Sequence, residues 1–240
     1  MEFTKDLHTH SKYSKFGHGK DTIEEMVLSA ISQNLDTIAI TDHGPGHPFG
    51  VWPWKLTKRK REIEELRKKY PQIKILCGLE ANLVSGSGKL DITKRQRDNL
   101  DICIVGYHRT GFANLFRLLT FNLAKNTFSK NNVKANTKAY VNAIKRNRVD
   151  IVAHLQQYIK VDCGEIARVA AEHGTLIEIN NKQLLWTKED IEAMLETDCK
   201  FVVDSDAHQK EAVGKFGVAE EFIKKYNIPL DRIVNVKETK

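Results

Sequence analysis

Seven short apolar runs, separated by segments long enough for a helix, limit what this chain can fold into. They lie around residues 3–7, 36–41, 73–80, 101–107, 150–154, 175–180 and 200–204. They are rich in Ile and Val, as in strands buried on both faces, the mark of a parallel sheet with helices outside. Strand–helix alternation repeated this often predicts an α/β fold, a distorted (β/α)7 barrel. The 240 residues suffice for one barrel, and neither a repeat nor a linker interrupts them, so residues 1–240 are expected to form one domain.

The ends of these runs carry the chemistry. In β/α barrels reactive groups gather at the C-terminal ends of the strands. The first run ends in His8 and His10, with His18 following in a Gly17-His18-Gly19 loop. The others end in Asp42-His43, Glu80, His108, His154 and Asp204-Ser205-Asp206-Ala207-His208. Seven of the nine histidines and two carboxylates therefore fall on one predicted rim. His8 and His10, two residues apart on an extended chain, point the same way. Imidazole is a preferred ligand for zinc, iron and related ions. Nine ligands exceed what one ion takes, and three divalent ions fit the count. No cysteine ligand selects among zinc, manganese and iron.

Together, Asp6-Leu7-His8-Thr9-His10, His18-Gly19, Thr41-Asp42-His43, Gly78-Leu79-Glu80, Gly106-Tyr107-His108, Val152-Ala153-His154 and Asp204-Ser205-Asp206-Ala207-His208 resemble the motif series of the PHP (polymerase and histidinol phosphatase) superfamily. Asp42-His43-Gly44-Pro45, Glu80-Ala81-Asn82 and Glu178-Ile179-Asn180-Asn181 most resemble its stand-alone YcdX-like phosphatases. Leu155 stands where the family often has Pro, and the stretch from His10 to His18 is slightly long for that branch. Both departures bear on substrate fit rather than on ligands.

The resemblance implies a trinuclear centre. His8, His10, Glu80 and Asp206 would surround the first metal. Glu80 would bridge to the second, with His108 and His154. His18, His43 and His208 would hold the third. Glu80, Asp206 and His208 are the expected catalytic residues. The implied reaction is hydrolysis of a small phosphomonoester by a metal-bridging hydroxide. Asp6 and Asp42 are expected to orient histidine rings. Arg109, Lys182 and His47 are candidate contacts to the substrate phosphate.

A formal net charge of +7 favours anionic substrates, nucleic acid among them. The alternatives are accordingly a PHP-type nuclease or phosphodiesterase and a histidinol phosphatase. A carbon–nitrogen hydrolase of the amidohydrolase type fits less well, because the third strand ends in Glu80 and the last motif has both Asp206 and His208. A metal-binding module without activity fits poorly with a complete ligand set. Cys77, Cys103, Cys163 and Cys199 are far apart, as expected of inert thiols in a reducing compartment. With no signal peptide, and no apolar run near the ~20 residues that span a bilayer, a cytoplasmic enzyme is expected. The Lys58-Arg59-Lys60-Arg61 cluster, followed by Glu62, Glu64 and Glu65, reads as a solvated, ion-paired helix face. Trp52 and Trp54 read as a cap on the barrel rim.

Overall fold

A computed structural model describes residues 1–108 and 130–237. Seven parallel strands follow one another round a nearly closed barrel in chain order. They are β2 (Lys5–Thr9), β3 (Thr37–Ile40), β4 (Lys74–Asn82), β5 (Ile102–Gly106), β6 (Ile151–Val152), β7 (Leu176–Asn180) and β8 (Phe201–Asp204). The distorted (β/α)7 barrel expected from the sequence is the fold. The first apolar run divides, because Glu2–Phe3 (β1) leaves the barrel to pair antiparallel with Val236–Lys237 (β9).

The seam between β8 and β2 explains the distortion. It is bridged at Thr9 and Ala207 rather than by a full ladder. Side chains complete it: Asp204 accepts the N–H of Leu7 at 2.6 Å, and Asp6 accepts the N–H of Ser205 at 3.1 Å. The orphan backbone donors of a broken ladder are thus met by carboxylates.

Alternate strand residues serve two cores, as strand geometry requires. One set, with Leu7, Ala39, Ile104, Ile151 and Val202, fills the barrel interior. The other set, with Ile38, Ile40, Cys77, Leu79, Val152, Ile177 and Phe201, packs under the helices. All four cysteines are buried and free.

The helices obey their local signals. α1 (Ile23–Ser32) starts with a capping box between Thr22 and Glu25, and Met26 and Ala30 are buried. α2 (Leu56–Lys69) and α3 (Lys94–Asp98) follow. α4 (Val133–Arg146) begins at an Asn132 cap, whose side chain accepts the N–H of Ala135. α5 (Cys163–His173) runs from an Asp162 cap to Gly174 in the left-handed region. α6 (Lys188–Leu195) starts with the Thr187–Asp190 capping box. Gly214 (φ 71°) turns the chain so that its N–H reaches Asp6 at 2.9 Å. The α-helix Gly217–Tyr226 (α7) follows that turn.

One surface expectation fails. Arg59 is buried, not solvated: its Nε donates to Asp42 at 2.7 Å and Nη2 to the carbonyls of Ile40 and Gly78. An ion pair of the right geometry drew one member of a basic cluster inward. Among the described residues no helix is long and apolar enough to cross a membrane.

Candidate metal centre

Glu80 sits near the C-terminal end of β4 with its carboxylate at the middle of the histidines. Oε1 lies 2.8 Å from Nε2 of His154 and 3.1 Å from Nε2 of His108. Oε2 lies 2.6 Å from Nδ1 of His43, 3.4 Å from Nε2 of His8 and 3.6 Å from Nε2 of His10. Asp206 Oδ1 is 3.2 Å from Nε2 of His10 and 3.8 Å from Nε2 of His8. Nε2 of His18 lies 3.1 Å from Nε2 of His43 and 2.8 Å from Nε2 of His208. All nine ligand candidates of the sequence therefore converge on one place.

The backbone makes room for this crowd. A Cβ on Gly106 would stand 2.6 Å from His154 and 3.0 Å from Glu80, so only glycine lets β5 pass behind them. His154 (φ 33°) and Asp206 (φ 51°) hold left-handed backbone that such residues seldom adopt. Strain of this kind collects at functional sites.

The donor set fits metal ions. His8 Nε2, His10 Nε2, His43 Nδ1 and Glu80 Oε2 are buried and make no hydrogen bond. Burial, then the neighbouring His208 and His43, lowers the pKa of His18 to about 3. Burial also lowers His108 to about 4 against the pull of Glu80. Rings that face each other nitrogen to nitrogen can share a proton in an N–H···N hydrogen bond, or can turn both lone pairs to a cation between them. Four nitrogen ligands around tetrahedral zinc stand roughly 3.3 Å apart, close to the spacings here. Burial works against the charges on Glu80 and Asp206, yet adjacent histidines hold both carboxyls well below their usual range. Four ligand groups recur: His8/His10/Asp206, Glu80/His108/His154, His10/His43/His208 and His43/His47/His108.

The residues expected to support the site need correction. Asp6 and Asp42 touch no histidine ring. Asp6 holds Ser205 and the N–H of Gly214, while Asp42 accepts from Ser11, Ser14 and Arg59. Their chain positions put them beside ligands, but strand alternation turned their side chains away. The orienting carboxylate is Glu178 on β7: Oε1 accepts from His8 Nδ1 at 2.6 Å, and Oε2 accepts the N–H of His154 at 2.9 Å. Its signal in the sequence is an acid between Ile177 and Ile179 in an apolar run.

A cavity of about 320 Å³ opens over the centre. His47 and Lys182 line it with Phe49, Tyr158 and Gln183. The His47 ring lies 4.0 Å from that of His43, tilted by 31°, and its Nδ1 accepts the N–H of Phe49 at 3.3 Å. Lys182 Nζ lies 2.7 Å from His208 Nδ1 and also donates to the Asp206 carbonyl. Arg109 lies outside the described residues. Trp52 and Trp54 stack on each other and stay out of this cavity, with Trp54 exposed. Behind the Gly44–Gly50 loop sits Asp91, which accepts the N–H of Asn82 at 2.8 Å. Burial raises its carboxyl to about 7.

The sequence model of the PHP domain matches residues 6–183. The chain belongs to the PHP domain family. Among curated relatives, a probable phosphatase of Thermoanaerobacter sp. (strain X514) is 32% identical over 98% of this chain and 91% of its own length. One from Acetivibrio thermocellus is 27% identical over 100% of this chain and 94% of its own. Among solved structures, the histidinol phosphate phosphatase of Lactococcus lactis, complexed with zinc, L-histidinol and phosphate, superposes with a TM-score of 0.57. It is 18% identical and covers 93% of each chain, which shows a shared fold.

Proposed function

We propose that this PHP domain is a metal-dependent phosphatase acting on a small phosphomonoester at a trinuclear centre, and that residues 1–240 work as one catalytic domain. The carrying observation is Glu80: each of its oxygens faces a different set of histidines, as a carboxylate does when it bridges two cations. His8, His10, Glu80 and Asp206 would hold one ion, Glu80, His108 and His154 a second, and His18, His43 and His208 a third. Such ions neutralise phosphoryl oxygens and make water a nucleophile near neutral pH. The pairing of β1 with β9, which ties the two described ends together, supports the single unit.

The protein's own groups then divide the work. Glu80 and Asp206 stay ionised and so would offer negative oxygens to the cations. Neutral His18 and His108 offer lone pairs instead of protons. In a neutral His47 ring, Nδ1 accepts from Phe49, so the proton sits on Nε2, the arrangement of a donor to a phosphate oxygen. Lys182 carries positive charge to the rim of the cavity. The volume of about 320 Å³ suits a phosphate with a compact organic group. The relatives named probable phosphatases support the reaction class, and the zinc in the Lactococcus lactis structure makes zinc the first ion to try beside manganese and iron.

The test measures the metal content of the purified protein and its hydrolysis of a phosphomonoester and a phosphodiester, with and without zinc or manganese. Close to three ions per chain with monoesterase activity is the expected result. Diesterase activity alone would move the reading to a nuclease, and absence of bound metal would sink it.

A further inference from the structure

A second pocket, of about 460 Å³, lies on the other side of the loop that carries His18. Lys12, Lys15, Lys20 and Lys55 line it, with Phe16 and Trp52. No acidic side chain is among its lining residues. None of the four ammonium groups pairs with a carboxylate within the described residues. Lys20 reaches only the amide of Gln209 at 2.9 Å, and Lys15 lies 4.2 Å above the Trp52 ring, which stacks on Trp54. Elsewhere lysines of this chain do find acids, as Lys69 does with Glu24 and Lys224 with Glu220. Four unneutralised cations in one concavity focus positive potential and attract an anion.

The backbone beneath them is fixed. The N–H of Ser11 and the hydroxyl of Ser14 donate to Asp42 at 2.7 and 2.8 Å, and the N–H of Lys15 donates to the Phe49 carbonyl at 2.7 Å. A Cβ on Gly19 would lie 2.0 Å from the carbonyl of Ser11, so the loop closes tightly on itself. At its tip Phe16 is held at φ 58° and is 79% exposed. A bulky residue in left-handed backbone, offering an apolar face to water, costs stability twice over. Gly17 and Gly19, which line this pocket, flank His18, which lines the metal cavity.

We propose that this lysine pocket is a second anion site, which holds a remote phosphate of the substrate while the metal centre holds the phosphate to be cleaved. The proposal rests on the phosphatase reading above and narrows its substrate to a bisphosphorylated small molecule. The carbon skeleton would cross the His18 loop against Phe16.

Two measurements test it. The first compares kcat/KM for straight-chain diol bisphosphates of increasing length with that for the matching alkyl monophosphates, using the metal-loaded enzyme. The bisphosphate is preferred by about tenfold or more at one favoured length. That ratio falls to near one in the Lys12→Gln/Lys55→Gln double variant and persists in Lys68→Gln, an exposed charge far along α2. The second titrates metal-free protein with inorganic pyrophosphate by calorimetry. Binding is expected for the native chain and is lost in the double variant. Absence of pyrophosphate binding, or binding that the double variant retains, overturns the site. Binding without any preference for bisphosphates overturns its role in substrate selection. If no ester is hydrolysed by the metal-loaded enzyme, the phosphatase reading fails, and the pyrophosphate titration still judges the pocket.

Discussion

Nδ1 of His8 donates to Oε1 of Glu178 across 2.6 Å, between two side chains with no exposure to solvent. This leaves Nε2 of His8 bare toward Glu80 and Asp206. The other oxygen of Glu178 holds the N–H of His154, whose backbone is in the left-handed region. One fully buried carboxylate thus fixes the tautomer of one ligand candidate and the main chain of another.

Glu178→Gln is therefore expected to weaken metal binding about 10- to 100-fold while the fold persists. Competition against a chromophoric chelator, with far-ultraviolet circular dichroism as the control, measures this. Unchanged affinity would mean that the hydrogen bond does not orient the ring.

Glu80→Gln removes the charge at the centre of the histidines. We expect kcat to fall by roughly 10³-fold or more, with loss of bound metal and an intact fold. Metal analysis beside monoester kinetics checks both. A variant with near-native turnover and full metal content would exclude Glu80 as the bridge.

Arg59 and Asp42 form a fully buried ion pair at 2.7 Å. Removal of one partner leaves a charge without compensation, at a cost of about 3–5 kcal/mol. Arg59→Met should accordingly lower Tm by roughly 10 °C. It should also loosen the loop of Ser11 and Ser14, which shares Asp42, and so raise KM more than it lowers kcat. Thermal melts and steady-state kinetics decide.

Asp91 gives a pH-dependent prediction. Its carboxyl, ordinarily near 3.8, is raised to about 7 by burial. Between those values the unfolded chain has released the proton and the folded chain keeps it, so folding loses stability as pH rises through this window. Asn cannot ionise. The Tm of metal-free Asp91→Asn, relative to the native chain, should improve by several degrees from about pH 5 to about pH 8. Parallel melting curves at the two pH values that keep a constant separation would refute this.

Much of this protein was legible in its sequence. Ile- and Val-rich runs at regular intervals named the parallel barrel, because a strand buried on both faces has no polar positions to spare. The ends of those runs named all nine ligand candidates, because a barrel collects its strand ends on one rim. Caps such as Thr22 and Thr187 act within four residues of themselves, so their signals are local.

What distance along the chain conceals, only the tertiary structure decided. Glu178 meets His8 across 170 positions, Arg59 turns inward to Asp42, and Asp6 holds the N–H of Ser205 to close the barrel seam. Whether a charged side chain finds water or a buried partner depends on which elements the fold sets beside it, and that is not encoded in its neighbours. The same holds for Lys12, Lys15, Lys20 and Lys55. In the sequence they are scattered members of a basic composition. Folding gathers them into one pocket beside the metal centre, because the loops after β2 and β3 end on the same rim.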